Sequence, residues 1–358
     1  MYHPIIKNKL NEIKGYKQVE CSLKNIPIIE LTDIKTDDFE TFFNQLFSDN
    51  RQNSIYDILK TKKCYIDLPA YLYNQIIDIF SLQNHKNKFD FFIKLNSIIK
   101  EKSLYPFIPV ISFDYSHDTR RESYRQNISF AKNIINHFDN FAIRIFTDSF
   151  FKDDDYNLLW QLYDFLPQEM EQKATLIIDI NKSTEKLSMD TIGELEKEGI
   201  KIKKIILSGE VLKNNDRLST PFTYDRLHNK HLERFKIIVD SFKDKSIFNY
   251  SDYTLVDKIP SKIELEPDQG FLYYPFIKYT TEDGNICMFT ADNKGDYKQY
   301  KELCEKVIRE IRNFDEKHCD TCSFIKDVAD GKIEKFKAGS TWKHRMITHH
   351  ITTMAKLC

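Results

Sequence analysis

Five carboxylates stand at the ends of short apolar runs. Glu30 follows Pro27-Ile28-Ile29, Asp67 follows Tyr65-Ile66, and Asp114 follows the run ending in Phe113. Asp179 follows Leu176-Ile177-Ile178, and Glu210 follows Ile205-Ile206-Leu207-Ser208-Gly209. Acids that end neighbouring strands can converge at one place. Converged, they can hold Mg2+ or Mn2+, or divide into a general acid and a general base as mutual repulsion separates their pKa values. The plainer reading is that such acids cap the next helix or pair with Arg144 and Lys278. Asp114 and Glu210 are expected to do the latter. For Glu30, Asp67 and Asp179, where the acid directly ends an apolar strand, both readings stand, and these three are the candidate catalytic and metal-binding residues.

Arg144 lies inside the apolar run Phe141-Ala142-Ile143-Arg144-Ile145-Phe146. A guanidinium facing inward there needs acids or a phosphate, because an unpaired buried charge is too unfavourable. The two outcomes are an internal salt bridge with Asp67 or Asp179, or an anion pocket preorganised by that same pairing. With Arg144, the residues Tyr253, Lys278 and His349 are the candidate ligand contacts. His349 and His350 are adjacent on a helix, hence about 100° apart around its axis, and do not face one metal together. His350 shares a stripe at spacing four with Trp342, Met346 and Met354, so it is expected in the core, while His349 falls on the adjoining stripe with Arg345 and Thr352. Cys319-x-x-Cys322 after His318 is a lone CxxC; a structural zinc wants four ligands, and only scattered candidates such as Cys304 or His344 could complete it, so zinc is not the expected metal. Ser183-x-x-Lys186 lacks the partner motifs of a serine acyl-transfer site. Two basic stretches, one at Arg226, His228, Lys230, His231, Arg234 and Lys236, the other at Lys332, Lys335, Lys337, Lys343, His344 and Arg345, read as solvated helix faces. A phosphate-bearing or nucleic-acid ligand would need both beside the carboxylates.

The elements that must position these groups alternate. Buried-strand patterns lie at 25–31, 64–69, 107–113, 141–146, 174–180, 204–210, 252–257 and 276–281, the last followed by a hairpin turn at Glu282-Asp283-Gly284-Asn285. The opening Tyr2 to Lys9 reads as extended at Pro4 and then helical through Glu20. Amphipathic helical patterns separate most strands, and three more close the chain near 297–313, 319–330 and 341–357. Eight strands interleaved with helices predict a (β/α)8 barrel over 1–295, with a helical C-terminal segment over 296–358 packed on it as one structural unit. The alternative, an open doubly wound sheet, usually binds nucleotides through a Gly-rich first turn, and neither GxGxxG nor a Walker A sequence occurs.

Bulk properties narrow the class further. Lys plus Arg (53) nearly cancel Asp plus Glu (54) over 358 residues, so no global nucleic-acid footprint exists and nucleic acid is not the favoured partner. Hydrophobic residues at 41% against 30% charged suit a folded globular chain. The start of the chain, charged throughout 1–14, has no apolar signal-peptide region, and no run approaches the roughly 18 apolar residues of a membrane span. Seven scattered cysteines fit a reducing compartment, and the expected location is cytoplasmic.

Several short stretches taken in order resemble the phage-type beta protein family, found in phages and bacterial genomes. They are Tyr2-x-Pro4-x-x-Lys7-x-Lys9-x-x-Glu12, Pro27-Ile28-Ile29-Glu30, Ile66-Asp67-Leu68, Ala142-Ile143-Arg144-Ile145, Leu176-Ile177-Ile178-Asp179 and Ser251-Asp252-Tyr253. Lys278-Tyr279-Thr280-Thr281 and Gly339-Ser340-Thr341-Trp342, with His349-His350-Ile351 beyond it, complete the set. The resemblance implies a barrel-like protein of mobile elements and phage–host conflict, and carries no assigned reaction. The combined expectation is a metal-assisted hydrolase acting on a phosphorylated or nucleotide-like substrate. The alternative is a non-catalytic binding or sensing module in antiviral defence, with a protein partner from a defence operon.

Overall fold

Short runs of Ile, Val and Leu, buried on both faces, make the strands of a closed barrel. In the computed structural model, residues 1–32, 36–48, 54–69, 75–82, 84–113, 120–146, 152–180, 185–211, 224–256, 274–333, 336 and 339–358 are described. Their strands are β1 (Tyr2–Lys7), β2 (Ile28–Glu30), β3 (Tyr65–Asp67), β4 (Ile108–Ser112), β5 (Phe141–Phe146), β6 (Ala174–Asp179), β7 (Ile205–Gly209), β8 (Tyr224–Leu227), β9 (Phe248–Asp252), β10 (Phe276–Thr280) and β11 (Ile286–Thr290). Strands β1 to β7 and β9 close in that order into a parallel barrel. Closure is made by β9 on β1, where Tyr2 pairs with Tyr250, His3 with Ser251 and Pro4 with Asp252. No edge is left for the open-sheet alternative.

The contacts group the chain into two units. The first comprises Met1–Lys9, Asn25–Gly209 and Glu233–Asp252; the second comprises Leu10–Lys24, Glu210–Leu232 and Tyr253–Cys358. The first unit is the barrel with its surrounding helices. A typical one is His85–Glu101: the Asn84 side chain accepts from the N–H groups of Lys86 and Asn87, and Phe91, Phe92, Leu95 and Ile99 face inward. The second unit holds the antiparallel sheet β10-β11-β8 and the helices Leu10–Lys17, Tyr300–Glu310, Asp320–Ala329 and Gly339–Leu357. Its core gathers Ile277, Phe289, Leu303, Val307, Ile325 and Trp342, the last stacked on Tyr300 at 4.4 Å.

Three differences from the sequence reading have physical causes. Tyr2–Lys7 is a barrel strand although it holds Pro4, which lacks a ladder donor, and ends in polar Lys7. The strand expected at 252–257 lies at Phe248–Asp252, where Asn249 and Ser251 interrupt the apolar run. The strand expected eighth, β10, does not belong to the barrel; with β11 and β8 it forms the separate sheet, so the range 1–295 mixes residues of both units. The hairpin turn is as read: Thr281 N–H donates to the Asn285 carbonyl at 2.8 Å, and Gly284 adopts φ +82°, a conformation other residues rarely tolerate.

Candidate functional site

Strand register brings the acids together. Lys7, Glu30 and Asp67 are paired neighbours across β1, β2 and β3 at the carboxyl ends of those strands. Ser112 pairs with Arg144 across β4 and β5, and Asp179 pairs with Ser208 across β6 and β7. A polar layer thus lines the end of the barrel where such folds build their sites. All these side chains are buried.

Arg144 is the centre of the layer. Its Nη1 donates to Glu30 Oε1 at 2.9 Å and to Asp67 Oδ2 at 2.6 Å, and its Nη2 donates to Asp179 Oδ2 at 2.9 Å. Ser112 Oγ donates to the other Asp67 oxygen at 2.7 Å, and Lys7 Nζ stands 3.9 Å from Glu30 Oε2. The Arg144 guanidinium also lies over the Phe146 ring at 5.0 Å. Three carboxylates therefore converge on one guanidinium, with Lys7 beside Glu30; Lys88, another buried cation, donates to the Ser112 carbonyl at 3.0 Å. Burial raises the Asp67 carboxyl above its ordinary range; Arg144 opposes that shift and the neighbouring Glu30 adds to it. A raised acid beside a second carboxylate is an arrangement that can donate or accept a proton, or exchange that proton for a cation.

Four of the expected site residues, Glu30, Asp67, Arg144 and Asp179, thus meet in one cluster inside the closed barrel. The profile of the family described as Beta protein matches residues 2–356. The chain belongs to the Beta protein family. No curated protein and no solved structure matches it. Within this Beta protein chain the remaining expected contacts belong to the second unit. Tyr253 is buried immediately after β9. Lys278 sits mid-strand in β10, with its main-chain N–H on Met346 Sδ at 3.1 Å. Asp114, Ser183, Lys335 and Lys337 lie outside the described residues. Of the second basic stretch, Lys332 pairs with Asp327 and Asp330, and Arg345 stacks on the Phe324 ring at 3.5 Å. No described helix is long and apolar enough to cross a membrane.

The histidines divide as their stripes predict. His350 is buried, with Nδ1 2.8 Å from Thr280 Oγ1. His349 turns instead toward the CxxC, its Nδ1 3.5 Å from both Cys319 Sγ and Cys322 Sγ. Sequence reasoning missed this meeting because nearly thirty residues separate His349 from the cysteines, and no spacing rule links the start of one helix to the middle of another. The two thiols share a hydrogen bond at 3.8 Å. Contact with Cys322 and then His349 draws the Cys319 thiol down to about 3 against the effect of burial, while Cys322 is pushed up as its partner.

Proposed function

We propose that this Beta protein is a barrel hydrolase whose working groups are Glu30, Asp67 and Asp179, acting with Mg2+ or Mn2+ on a phosphorylated or nucleotide-like substrate in phage–host conflict. The observation that carries the reading is the convergence of all three acids on Arg144. Three carboxylates crowded on one guanidinium in a buried place repel one another, which favours a proton or a divalent cation among them. Asp67, whose carboxyl burial pushes above its ordinary range, is the acid on which such a proton is favoured. Its release would let a metal enter between the carboxylates, and Arg144 would then steady the charge developing on a phosphoryl group.

The test is turnover of a panel of phosphomonoesters, phosphodiesters and nucleotides with Mg2+ or Mn2+, comparing wild type with Asp67→Asn. Metal-dependent turnover that falls by about 100-fold or more in the variant supports the proposal. Equal turnover in both, or none in either, overturns it. A non-catalytic binding or sensing module in antiviral defence is the second reading. It draws on the same side chains being fully buried and paired with one another, as in a barrel kept for its surface alone.

A further inference from the structure

The second unit holds a cluster outside the barrel's polar layer, built by three elements. Cys319 precedes the helix Asp320–Ala329 in extended conformation (φ −164°), and the chain turns so that Cys322 N–H donates to the Cys319 carbonyl at 2.9 Å. That turn brings the two sulfurs to 3.8 Å on one side of the helix start. His349 arrives from the middle of Gly339–Leu357, and its Nε2 lies 2.9 Å from the carbonyl oxygen of Thr280, the last residue of β10. A carbonyl only accepts, so Nε2 carries a proton, and Nδ1 is aimed between the two sulfurs, free to ligate once it is deprotonated.

Zinc stands about 2.3 Å from a thiolate and about 2.0–2.1 Å from an imidazole nitrogen, so a tetrahedral ion requires edges of about 3.8 Å between sulfurs and about 3.5 Å from sulfur to nitrogen. The three edges here are 3.8, 3.5 and 3.5 Å. We infer that Cys319, Cys322 and His349 are three ligands of a zinc ion. The hydrogen bond from His349 to Thr280 is the outer contact that such a ligand characteristically keeps, and the Tyr279 hydroxyl, 3.7 Å from Cys322 Sγ, is a second outer partner. The Tyr279 ring also covers His349, with centroids 4.1 Å apart.

Among the described residues no fourth Cys, His, Asp or Glu joins the set. His318 is close, but its Nε2 is engaged with Thr353 Oγ1 at 3.0 Å. His349 and Tyr279 line a cavity of about 330 Å3 shared with Arg312, Asp315 and His318, and a water or ligand oxygen would complete the fourth position. Three protein ligands with one exchangeable position is the set found where zinc activates water, whereas closed four-residue sets are structural.

The test is metal content and Co2+ spectroscopy on the full chain, purified under reducing conditions and reconstituted with Zn2+ or Co2+ alone. The expected result is about one metal per chain, with intense sulfur-to-cobalt charge-transfer bands and the d–d bands of tetrahedral Co2+. Cys322→Ser and His349→Ala should each weaken zinc binding by about 100-fold or more, Tyr279→Phe by about 10-fold, and His318→Asn should leave the Co2+ spectrum unchanged. Should the buried ligand variants fail to fold, the wild-type Co2+ spectrum decides by itself. Substoichiometric metal after reconstitution, a six-coordinate oxygen-type Co2+ spectrum, or a Cys319–Cys322 disulfide persisting under reductant would overturn the assignment.

Discussion

Arg144 Nη1 and Asp67 Oδ2 lie 2.6 Å apart, and neither side chain has any exposed surface. The same guanidinium serves Glu30 and Asp179, so removing it takes a shared cation from three buried carboxylates.

Arg144→Met should therefore destabilise the protein by about 3–5 kcal/mol near neutral pH, the usual result of removing one partner from a buried ion pair. The loss should shrink on acidification. Asp67 has a folded pKa above its ordinary value, so the fold favours its neutral form; that contribution is complete below the ordinary value and is lost as pH rises through the folded one. Arg144 opposes this shift, and without it the neutral form is favoured more strongly. Urea denaturation of both proteins at about pH 5 and about pH 8 checks this; a difference that does not change with pH would contradict it.

His3 sets an acid limit of its own. It is fully buried, with Nδ1 2.9 Å from the Ile26 carbonyl and its ring edge-on to Tyr65, and burial, helped by the charge of Lys204, lowers its pKa to about 3. A histidine held neutral contributes stability that is complete above its ordinary value of about 6.5 and is lost as pH falls toward about 3. Each unit in that window removes about 1.4 kcal/mol, or about 2 kcal/mol at pH 5. His3→Gln should flatten the slope of stability against pH between about 6.5 and about 4, whatever it does to stability at neutral pH. An unchanged slope would show that the ring is charged in the fold.

Gly15 tests helix packing in the second unit. Alanine in a helix is ordinarily worth about 1 kcal/mol over glycine. Here, however, a Cβ would stand 2.7 Å from the His344 carbonyl oxygen and 3.0 Å from Ile347, and Thr348 Oγ1 already donates to the Gly15 carbonyl at 2.8 Å. Overpacking of that kind costs about 1–3 kcal/mol and outweighs the propensity gain. Gly15→Ala should lower the melting temperature, whereas Gly193→Ala, with open space around its Cβ, should raise it. A rise for both would mean the two helices do not approach this closely.

Much of the fold is legible in the residues. Runs such as Ile177-Ile178-Asp179 and Ile29-Glu30 announce doubly buried strands, and their final acids mark the barrel's carboxyl end because a charge there can meet others across the register. Arg144, set among isoleucines, signals an inward cation, and its burial against three acids follows from the need to neutralise it. What stayed hidden has a common cause. Strands lining a polar layer carry polar residues inside, so Lys7, Asn249 and Ser251 disguise β1 and β9 as something less buried. The meeting of His349 with Cys319 and Cys322 depends on how two helices and a strand of the second unit pack, which no local pattern encodes.

The most direct measurement of the central claim is a thermal-shift titration of Mg2+, Mn2+ and nucleotides against wild type and Asp179→Ala, with Cys319→Ser as a control for metal bound elsewhere. If the acids around Arg144 take a divalent ion with a phosphorylated ligand, wild type and the cysteine variant gain about 2.7 kcal/mol of stability at ligand about 100-fold above Kd, and Asp179→Ala gains almost none. No shift in wild type, or the same shift in Asp179→Ala, would contradict the account.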